Sequence, residues 1–153
     1  MSGSCSILYQ KGRNYRGQMI RFSAKVRYGL RTLIYLAVCR RNKPVAIRAI
    51  SEDQQIPRKY LESVVQLLKT AGLVRSQRGA EGGYTLALPA EEIKMDRVFE
   101  ALDGPLVLVD CLENSDACSR QANCIASSFY SSLQTDMLDH LTRKTLADVV
   151  NGE

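Results

Sequence analysis

The sequence predicts a mainly α-helical fold with one small β-hairpin, followed by a long C-terminal helix. Apolar residues recur at helical spacing in three segments between residues 23 and 71. A glycine-rich turn then separates two short apolar strands, and an amphipathic segment occupies residues 125–150. With 153 residues, 45% of them hydrophobic, the chain is long enough to bury a core without disulfide bonds.

The first predicted helix follows Ser23, a residue type that often caps helix N-termini. Its sequence, AKVRYGLRTLIYLAVCRR, ends before Asn42 and Pro44. The apolar residues at helical spacing are Val26, Leu30, Leu33, Ile34 and Ala37. Gly29 lowers the helical propensity by about 1 kcal/mol relative to alanine, which indicates close packing against another element at this position.

The second and third helices are predicted to form a helix-turn-helix. The segment VAIRAISEDQQI turns Ile47 and Ile50 inward, and Pro57 suits the first position of the helix that follows. That helix, RKYLESVVQLLKTA, is followed by Gly72, well placed just past its C-terminus. Its buried stripe comprises Leu61, Val64, Val65 and Leu68.

A β-hairpin is predicted from LVRSQRGAEGGYTLAL, with RGAEGG as its turn. Three helices followed by such a hairpin form a winged helix-turn-helix, which we assign to residues 19–104. Its last helix covers 94–103 and ends at Gly104. A cysteine-bearing connector, residues 105–124, then leads to the final helix.

The final helix is predicted over residues 125–150 as a dimerisation element. Along one side it carries apolar residues four apart, namely Ile125, Phe129, Leu133, Met137 and Leu141. Because no later segment is left to cover this face, a second copy of the chain is the expected partner.

The charge distribution divides the chain in two. Residues 1–97 hold 18 Lys and Arg against 7 Asp and Glu, a net +11, whereas residues 98–153 hold 3 against 9, a net −6. A basic first half favours a polyanion such as nucleic acid as its partner, although a solvated basic surface would look the same.

The N-terminal residues 1–18 are predicted to be a disordered tail, with Met19 as an alternative start of translation. No stretch approaches the roughly 18 apolar residues of a membrane span, and no signal-peptide core is present. We therefore expect a cytoplasmic protein without membrane association. A catalytic role is not expected, because a single histidine and the lack of triad, P-loop or dinucleotide-binding motifs leave few catalytic groups.

Double-stranded DNA is the expected ligand of the third helix, whose N-terminal side chains would reach base edges in the major groove. The candidate residues are Arg58, Lys59, Tyr60, Glu62, Ser63 and Gln66. Arg and Lys pair with guanine acceptors or phosphates, and Glu62 can accept from a cytosine amino group. The alternative is that these residues are ordinary solvated side chains of a surface helix.

Two further elements are predicted to contact DNA. The hairpin turn, formed by Arg78, Gly79, Gly82 and Gly83, would place an arginine in a narrow minor groove, where the negative potential is strongest. Ser23 and Lys25 would hold a phosphate together with the backbone N–H groups at the start of the first helix.

Cys111, Cys118 and Cys124 lie in one polar segment, separated by six and five residues. Thiolates bind zinc or iron–sulfur clusters, and zinc sites more often show two-residue spacings. The spacing therefore favours a cluster but leaves zinc, a redox thiol switch and no cofactor open. Cys5 falls in the predicted tail, and Cys39 is expected to belong to the core.

The segments RFSAKVRYGLRTLIYLA, IPRKYLESVVQLLKTAGLVRSQRGAEGGYTLA and ALDGPLVLVDCL resemble the Rrf-type winged-helix transcription regulators, in particular their IscR- and NsrR-like branch, which senses iron–sulfur clusters. The resemblance covers about residues 19–150. It implies a homodimeric repressor on a palindromic operator, with Lys59, Glu62 and Ser63 at base-contacting positions and Arg78 at the wing arginine.

By the same resemblance, the three loop cysteines would hold a 2Fe-2S or 4Fe-4S cluster. The fourth ligand departs from the family pattern, because Ser127 occupies the position of the IscR-like histidine and Arg27 lies near that of the NsrR-like carboxylate. Asp110, Glu113, Asp116 or a small molecule remain candidates, whereas His140 lies far along the last helix. A cofactor-free branch, regulated by a partner protein, a metabolite or thiol oxidation, is the alternative.

Overall fold

The computed structural model describes residues 21–38, 43–79 and 81–152. In chain order the helices and strands are α1 (Ala24–Val38), α2 (Ile47–Gln54), α3 (Arg58–Thr70), β1 (Val74–Gln77), β2 (Gly83–Leu86), α4 (Met95–Asp103), α5 (Ile125–Arg143) and α6 (Leu146–Asn151). Single 3₁₀ turns occupy Ala90–Glu92, Asp110–Leu112, Ser115–Ala117 and Gln121–Asn123. The predicted tail at 1–18, Cys5, Met19 and Cys39 lie outside the described residues.

The core lies where α1, α3 and α4 pack against one another. The hydroxyl of Ser23 accepts a hydrogen bond from the Val26 N–H at 3.2 Å, which confirms the predicted cap of α1. The expected close packing at Gly29 is also present, because a Cβ atom at that position would lie 2.4 Å from a methyl group of Leu102 on α4. The predicted stripe of α3 is fully buried, at Leu61, Val64, Val65 and Leu68.

The turn between α2 and α3 is tied to α1. It runs through Gln55, whose φ of 51° is left-handed, to Pro57. The Arg31 guanidinium donates to the Gln54 carbonyl, and the Tyr35 hydroxyl donates to Asp53 at 2.5 Å. These two side chains of α1 hold the end of α2, and with it the start of the following helix, in place.

The predicted hairpin is confirmed as an antiparallel pair in which Val74 faces Leu86 and Gln77 faces Gly83. A third piece of extended chain joins it at Val45, whose N–H and carbonyl both bond to Tyr84 at 2.9 Å. The hairpin is therefore anchored to the segment that precedes α2. Gly72, with a φ of 72°, makes the turn after α3 that its position in the sequence predicts.

The C-terminal region differs from the prediction of one helix over residues 125–150. Helix α5 ends at Arg143, Lys144 is extended, and Thr145 pairs with Lys94 in an antiparallel bridge before α6 begins. The Lys144 carbonyl accepts from the Met95 N–H at 3.0 Å. The break thus lets the chain cross the start of α4, where Leu146 of α6 is fully buried.

None of the helices in the described part of the chain is long and apolar enough to cross a membrane.

Candidate nucleic-acid interface and cysteine loop

Helix α3 presents a polar face to solvent opposite its buried stripe. Arg58, Lys59, Glu62, Ser63 and Gln66 are exposed, and Tyr60 is half-buried. All six residues predicted to face DNA are therefore on or beside the accessible side of the helix. The face begins at the first residue of α3, so its charged side chains lie beside the helix-turn-helix turn.

Two of these side chains are paired with each other. The Arg58 guanidinium donates to the Glu62 carboxylate at 3.0 Å, one helical turn away, and both groups are largely exposed. The Ser63 hydroxyl donates to the Tyr60 carbonyl at 2.7 Å. Because an exposed pair of this kind contributes only about 0.3–0.5 kcal/mol, both charges can be redirected towards bases or phosphates at little cost.

The hairpin turn, called the wing here, exposes Arg78 at its tip. Gly79 next to it has a φ of 122°, which a residue with a side chain rarely adopts, although a Cβ atom there would meet open space. At Gly82 a Cβ atom would lie 2.5 Å from the Gln77 carbonyl oxygen. The predicted glycines are therefore needed for the shape of the turn that carries Arg78.

The two residues predicted to hold a phosphate at the start of α1 both have partners within the chain, and the phosphate contact stays a prediction. The Ser23 hydroxyl accepts a hydrogen bond from the Val26 N–H, and the Lys25 ammonium lies 3.6 Å from the Asp103 carboxylate at the end of α4. Lys25 is thus directed towards α4 and partly neutralised.

Sequence reasoning missed a cluster on another side of α1. The ring of Tyr28 packs edge-on against that of Tyr60 on α3, with centroids 5.6 Å apart. The guanidinium carbons of Arg27 and Arg31 each lie 5.9 Å from the centre of the Tyr28 ring. The signal in the sequence was the spacing of two arginines four residues apart around a tyrosine in VRYGLR.

The cysteine loop (residues 110–124) consists of three single 3₁₀ turns. Cys111 lies within the first turn, Cys118 directly follows the second, and Cys124 lies between the third turn and α5. The Gln121 side chain donates to the Cys111 carbonyl at 2.6 Å, which ties the third turn to the first. Just before the loop, the Leu108 N–H donates to the Gln134 side chain of α5 at 3.0 Å.

The three thiols are free and half-buried. Their chemistry suits an iron–sulfur cluster or another thiophilic ligand. Within residues 21–38, 43–79 and 81–152 no three Cys, His, Asp or Glu side chains converge to hold a single metal ion. The structure therefore shows no single-ion site at the three cysteines, and their binding of an iron–sulfur cluster stays a prediction.

The fourth-ligand candidates differ in position. Asp110, Glu113 and Asp116 are exposed in the loop, and His140 is exposed far along α5. Ser127, which occupies the position of a ligand by resemblance, donates its hydroxyl to the Cys124 carbonyl at 2.8 Å. None of them joins the cysteines in a metal-binding group within the described chain.

The predicted dimer face is most exposed at the N-terminal half of α5. Ile125 is 93% exposed and Phe129 is 64% exposed. Leu133, Met137 and Leu141 are half-buried, and Leu141 packs against the core of its own chain. The uncovered part of this face is therefore adjacent to the cysteine loop, and its assignment as a dimer interface stays a prediction.

Comparison with known proteins relates the chain to transcription regulators. Residues 22–152 match the Rrf2 family, described as an iron-dependent transcriptional regulator. The protein Rrf2 of Nitratidesulfovibrio vulgaris is 35% identical over 131 residues, which cover 86% of this chain and 87% of the relative.

Two solved structures are similar over nearly the same region. CymR, the global cysteine regulator of B. subtilis, has a TM-score of 0.73 at 29% identity and covers 88% of this chain and 99% of its own. IscR of T. potens has a TM-score of 0.70 at 29% identity and covers 87% of this chain and 88% of its own. These similarities confirm the predicted winged-helix fold.

Proposed function

The chain belongs to the Rrf2 family of winged-helix transcription regulators, which are DNA-binding proteins rather than enzymes, and on that premise we propose how its binding to DNA is organised and controlled. It binds a palindromic operator as a homodimer and acts as a repressor. Its affinity for the operator is set by the state of Cys111, Cys118 and Cys124.

The DNA-binding part of the proposal is supported by the exposed polar face of α3 together with the wing. Arg58, Lys59 and Glu62 are accessible at the N-terminal end of α3, the end that reads base edges in helix-turn-helix proteins. Arg78 is exposed at the tip of the wing, as a minor-groove contact requires. A dimer would place two such surfaces on two half-sites.

The observation that carries the control by cysteines is the location of the loop. Three free thiols lie immediately before α5, and the connector is hydrogen-bonded to α5 through Leu108 and Gln134. A change that draws the thiols together would therefore pull on the start of α5, beside the exposed Ile125 and Phe129. The dimer geometry, and with it the spacing of the two α3 helices, would respond.

We infer that the ligand of the thiols is an iron–sulfur cluster, held by Cys111, Cys118 and Cys124. When bound, such a cluster supplies sensitivity to iron, oxygen or nitric oxide. The IscR-like neighbour and the iron-dependent description of the family support this assignment. The fourth position is left to a loop carboxylate or a small molecule.

A second candidate is control by thiol oxidation without a cluster. It is favoured by the half-buried thiols, which do not converge on a metal site in the described chain, and by the similarity to the cysteine regulator CymR. In this case the protein is colourless, and an oxidant changes its affinity for DNA directly.

The two candidates are separated by anaerobic expression with iron, followed by visible absorption spectroscopy and iron analysis. The wild type is compared with the triple variant Cys111→Ala/Cys118→Ala/Cys124→Ala, and Cys5→Ala serves as the control outside the loop. A brown protein whose visible bands persist in Cys5→Ala and vanish in the triple variant supports the cluster. A colourless, iron-free wild type whose DNA affinity responds to oxidant supports thiol oxidation.

A further inference from the structure

Helix α1 contacts two different parts of the protein with two different faces. Residues four apart lie on the same side of an α-helix, and residues two apart lie about 200° apart around it. Lys25 and Gly29 form one such face, and both contact the end of α4, Lys25 at Asp103 and Gly29 at Leu102. Lys25 is therefore on the side of α1 that packs against α4.

Arg27 and Arg31 form the other face, which is turned towards the helix-turn-helix. Arg31 donates to the Gln54 carbonyl at the end of α2. Arg27 lies one turn before Arg31 on the same side, and its side chain is exposed. In the described part of the chain no carboxylate lies within ion-pair distance of Arg27, in contrast to Lys25.

Tyr28 links this face to the DNA-reading helix. Its ring packs against Tyr60, the third residue of α3, and Arg27 lies beside the same ring. An arginine beside an aromatic ring loses less conformational freedom when it binds a ligand, because its planar group is already supported. Arg27 is thus a cation supported by a ring that contacts α3, with no ion-pair partner in the described part of the chain.

We propose that Arg27 binds a phosphate of the DNA backbone beside the recognition helix, and that Lys25 does not. The inference rests on the proposed DNA-binding function and places at Arg27 the phosphate contact expected at Lys25. A guanidinium presents two N–H donors side by side to a phosphate, and such contacts fix the position of a protein on DNA without reading its sequence. Tyr28 serves as a positioning residue that holds the guanidinium near α3.

The test measures the salt dependence of DNA binding for Arg27→Ala, Lys25→Ala and Arg27→Lys. The probe is a duplex that the wild type selects from a random library, compared with a scrambled duplex of equal length. Each phosphate contact contributes about 0.9 to the magnitude of the slope of the logarithm of the DNA-binding constant against the logarithm of the salt concentration. Since a dimer carries two copies of Arg27, we expect Arg27→Ala to reduce the slope by about 1.8 and to weaken both duplexes roughly tenfold at low salt.

The controls separate the possible failures. Lys25→Ala should leave the slope unchanged, and Arg27→Lys should retain it because the charge is kept. Circular dichroism of each variant establishes that the helices are intact. An unchanged slope in Arg27→Ala, or a reduced slope in Lys25→Ala, would overturn the inference while leaving the DNA-binding function standing. If the wild type selects no duplex, the proposed function itself fails.

Discussion

Gly83 at the base of the wing lies directly against the main chain of Val45. A Cβ atom at position 83 would lie 2.4 Å from both the carbonyl carbon and the carbonyl oxygen of Val45, and 2.8 Å from the Ala46 nitrogen. The next residue, Tyr84, makes two backbone hydrogen bonds to Val45. The absence of a side chain at Gly83 therefore allows the wing to pair with the segment before α2.

Substitution Gly83→Ala is expected to separate the wing from Val45. The atoms in its way belong to the backbone and cannot rotate aside, so the Val45–Tyr84 bridge must open. With overpacking and backbone strain together, we expect a loss of about 3 kcal/mol in the free energy of unfolding, measured by denaturant titration. In Gly79→Ala, in the same hairpin, the added Cβ atom would lie in open space. Only the backbone strain at its positive φ remains, and the free energy of unfolding should fall by about 1–2 kcal/mol. If both variants lost the same free energy of unfolding, the close approach of Gly83 to Val45 would not explain the effect.

Glu62→Gln is expected to relax base selection without harming the fold. The change removes an acceptor charge that can pair with a cytosine amino group, and discrimination at one operator position should fall by about 1–3 kcal/mol. Selection of duplexes from a random library, followed by sequencing, measures this. Glu52→Gln is the matched control, because Glu52 pairs with Arg48 one turn apart on α2, as Glu62 does with Arg58 on α3. A similar change in selectivity in both variants would argue against base reading by Glu62.

Phe129→Glu is expected to dissociate the proposed homodimer. A carboxylate in the centre of an apolar interface loses its hydration without gaining a partner. Sedimentation equilibrium should show a monomer. The affinity for the operator should fall, because the two half-sites are no longer bound by two linked copies of the chain. Ser131→Glu places the same charge on the opposite side of α5 and should leave the dimer intact. A dimer that persists in Phe129→Glu would place the interface elsewhere.

Local patterns predicted the helices and the hairpin well. The stripe Leu61–Leu68 follows the helical period, and Ser23 caps α1. Each of these depends on residues near one another in the sequence or on a rule of helix geometry. For the same reason the exposed face of α3 could be predicted from the positions of its apolar residues.

Contacts between distant segments could not be predicted in the same way. The pairing of Lys25 with Asp103 and the ring contact of Tyr28 with Tyr60 join residues on different helices. The sequence shows that Lys25 is a cation at a helix N-terminus but not which helix lies opposite. Whether the three thiols of the cysteine loop lie close together likewise depends on the three-dimensional path of the loop. The spacing of the cysteines in the sequence does not determine that path.

The break between α5 and α6 did leave a local signal in the sequence. Thr145 and Asp148 have the spacing of a capping box, in which the first side chain caps a helix and the second bonds back to the cap. In the structure the Thr145 hydroxyl accepts from the Asp148 N–H at 3.2 Å, and the Asp148 carboxylate accepts from the Thr145 N–H at 2.7 Å. Because the apolar pattern continues across these residues, the sequence predicted one helix where the structure has two.

Thr145→Ala removes the first half of this box and is expected to lower the free energy of unfolding by about 1 kcal/mol. The loss should be visible in urea titration at pH 7, since α6 buries Leu146 in the core. Thr145→Ser keeps the hydroxyl and should retain most of the stability. A loss in Thr145→Ser as large as in Thr145→Ala would show that the methyl group, rather than the cap, stabilises the helix.

The second half of the box should make stability depend on pH. The pKa of Asp148 is lowered in the folded protein, chiefly by the hydrogen bond from the Thr145 N–H and next by the hydrogen bond with the Thr145 hydroxyl. The nearby charges of Lys144 and Lys94 lower it further. A lowered pKa means that the contribution of Asp148 is complete above the ordinary aspartate value of about 3.9 and is lost as the pH falls through the folded value. The melting temperature of Asp148→Asn should therefore lie below that of the wild type at pH 7, and the difference should shrink as the pH falls below about 4. A difference that stays constant on acidification below that pH would show that the carboxylate charge does not contribute.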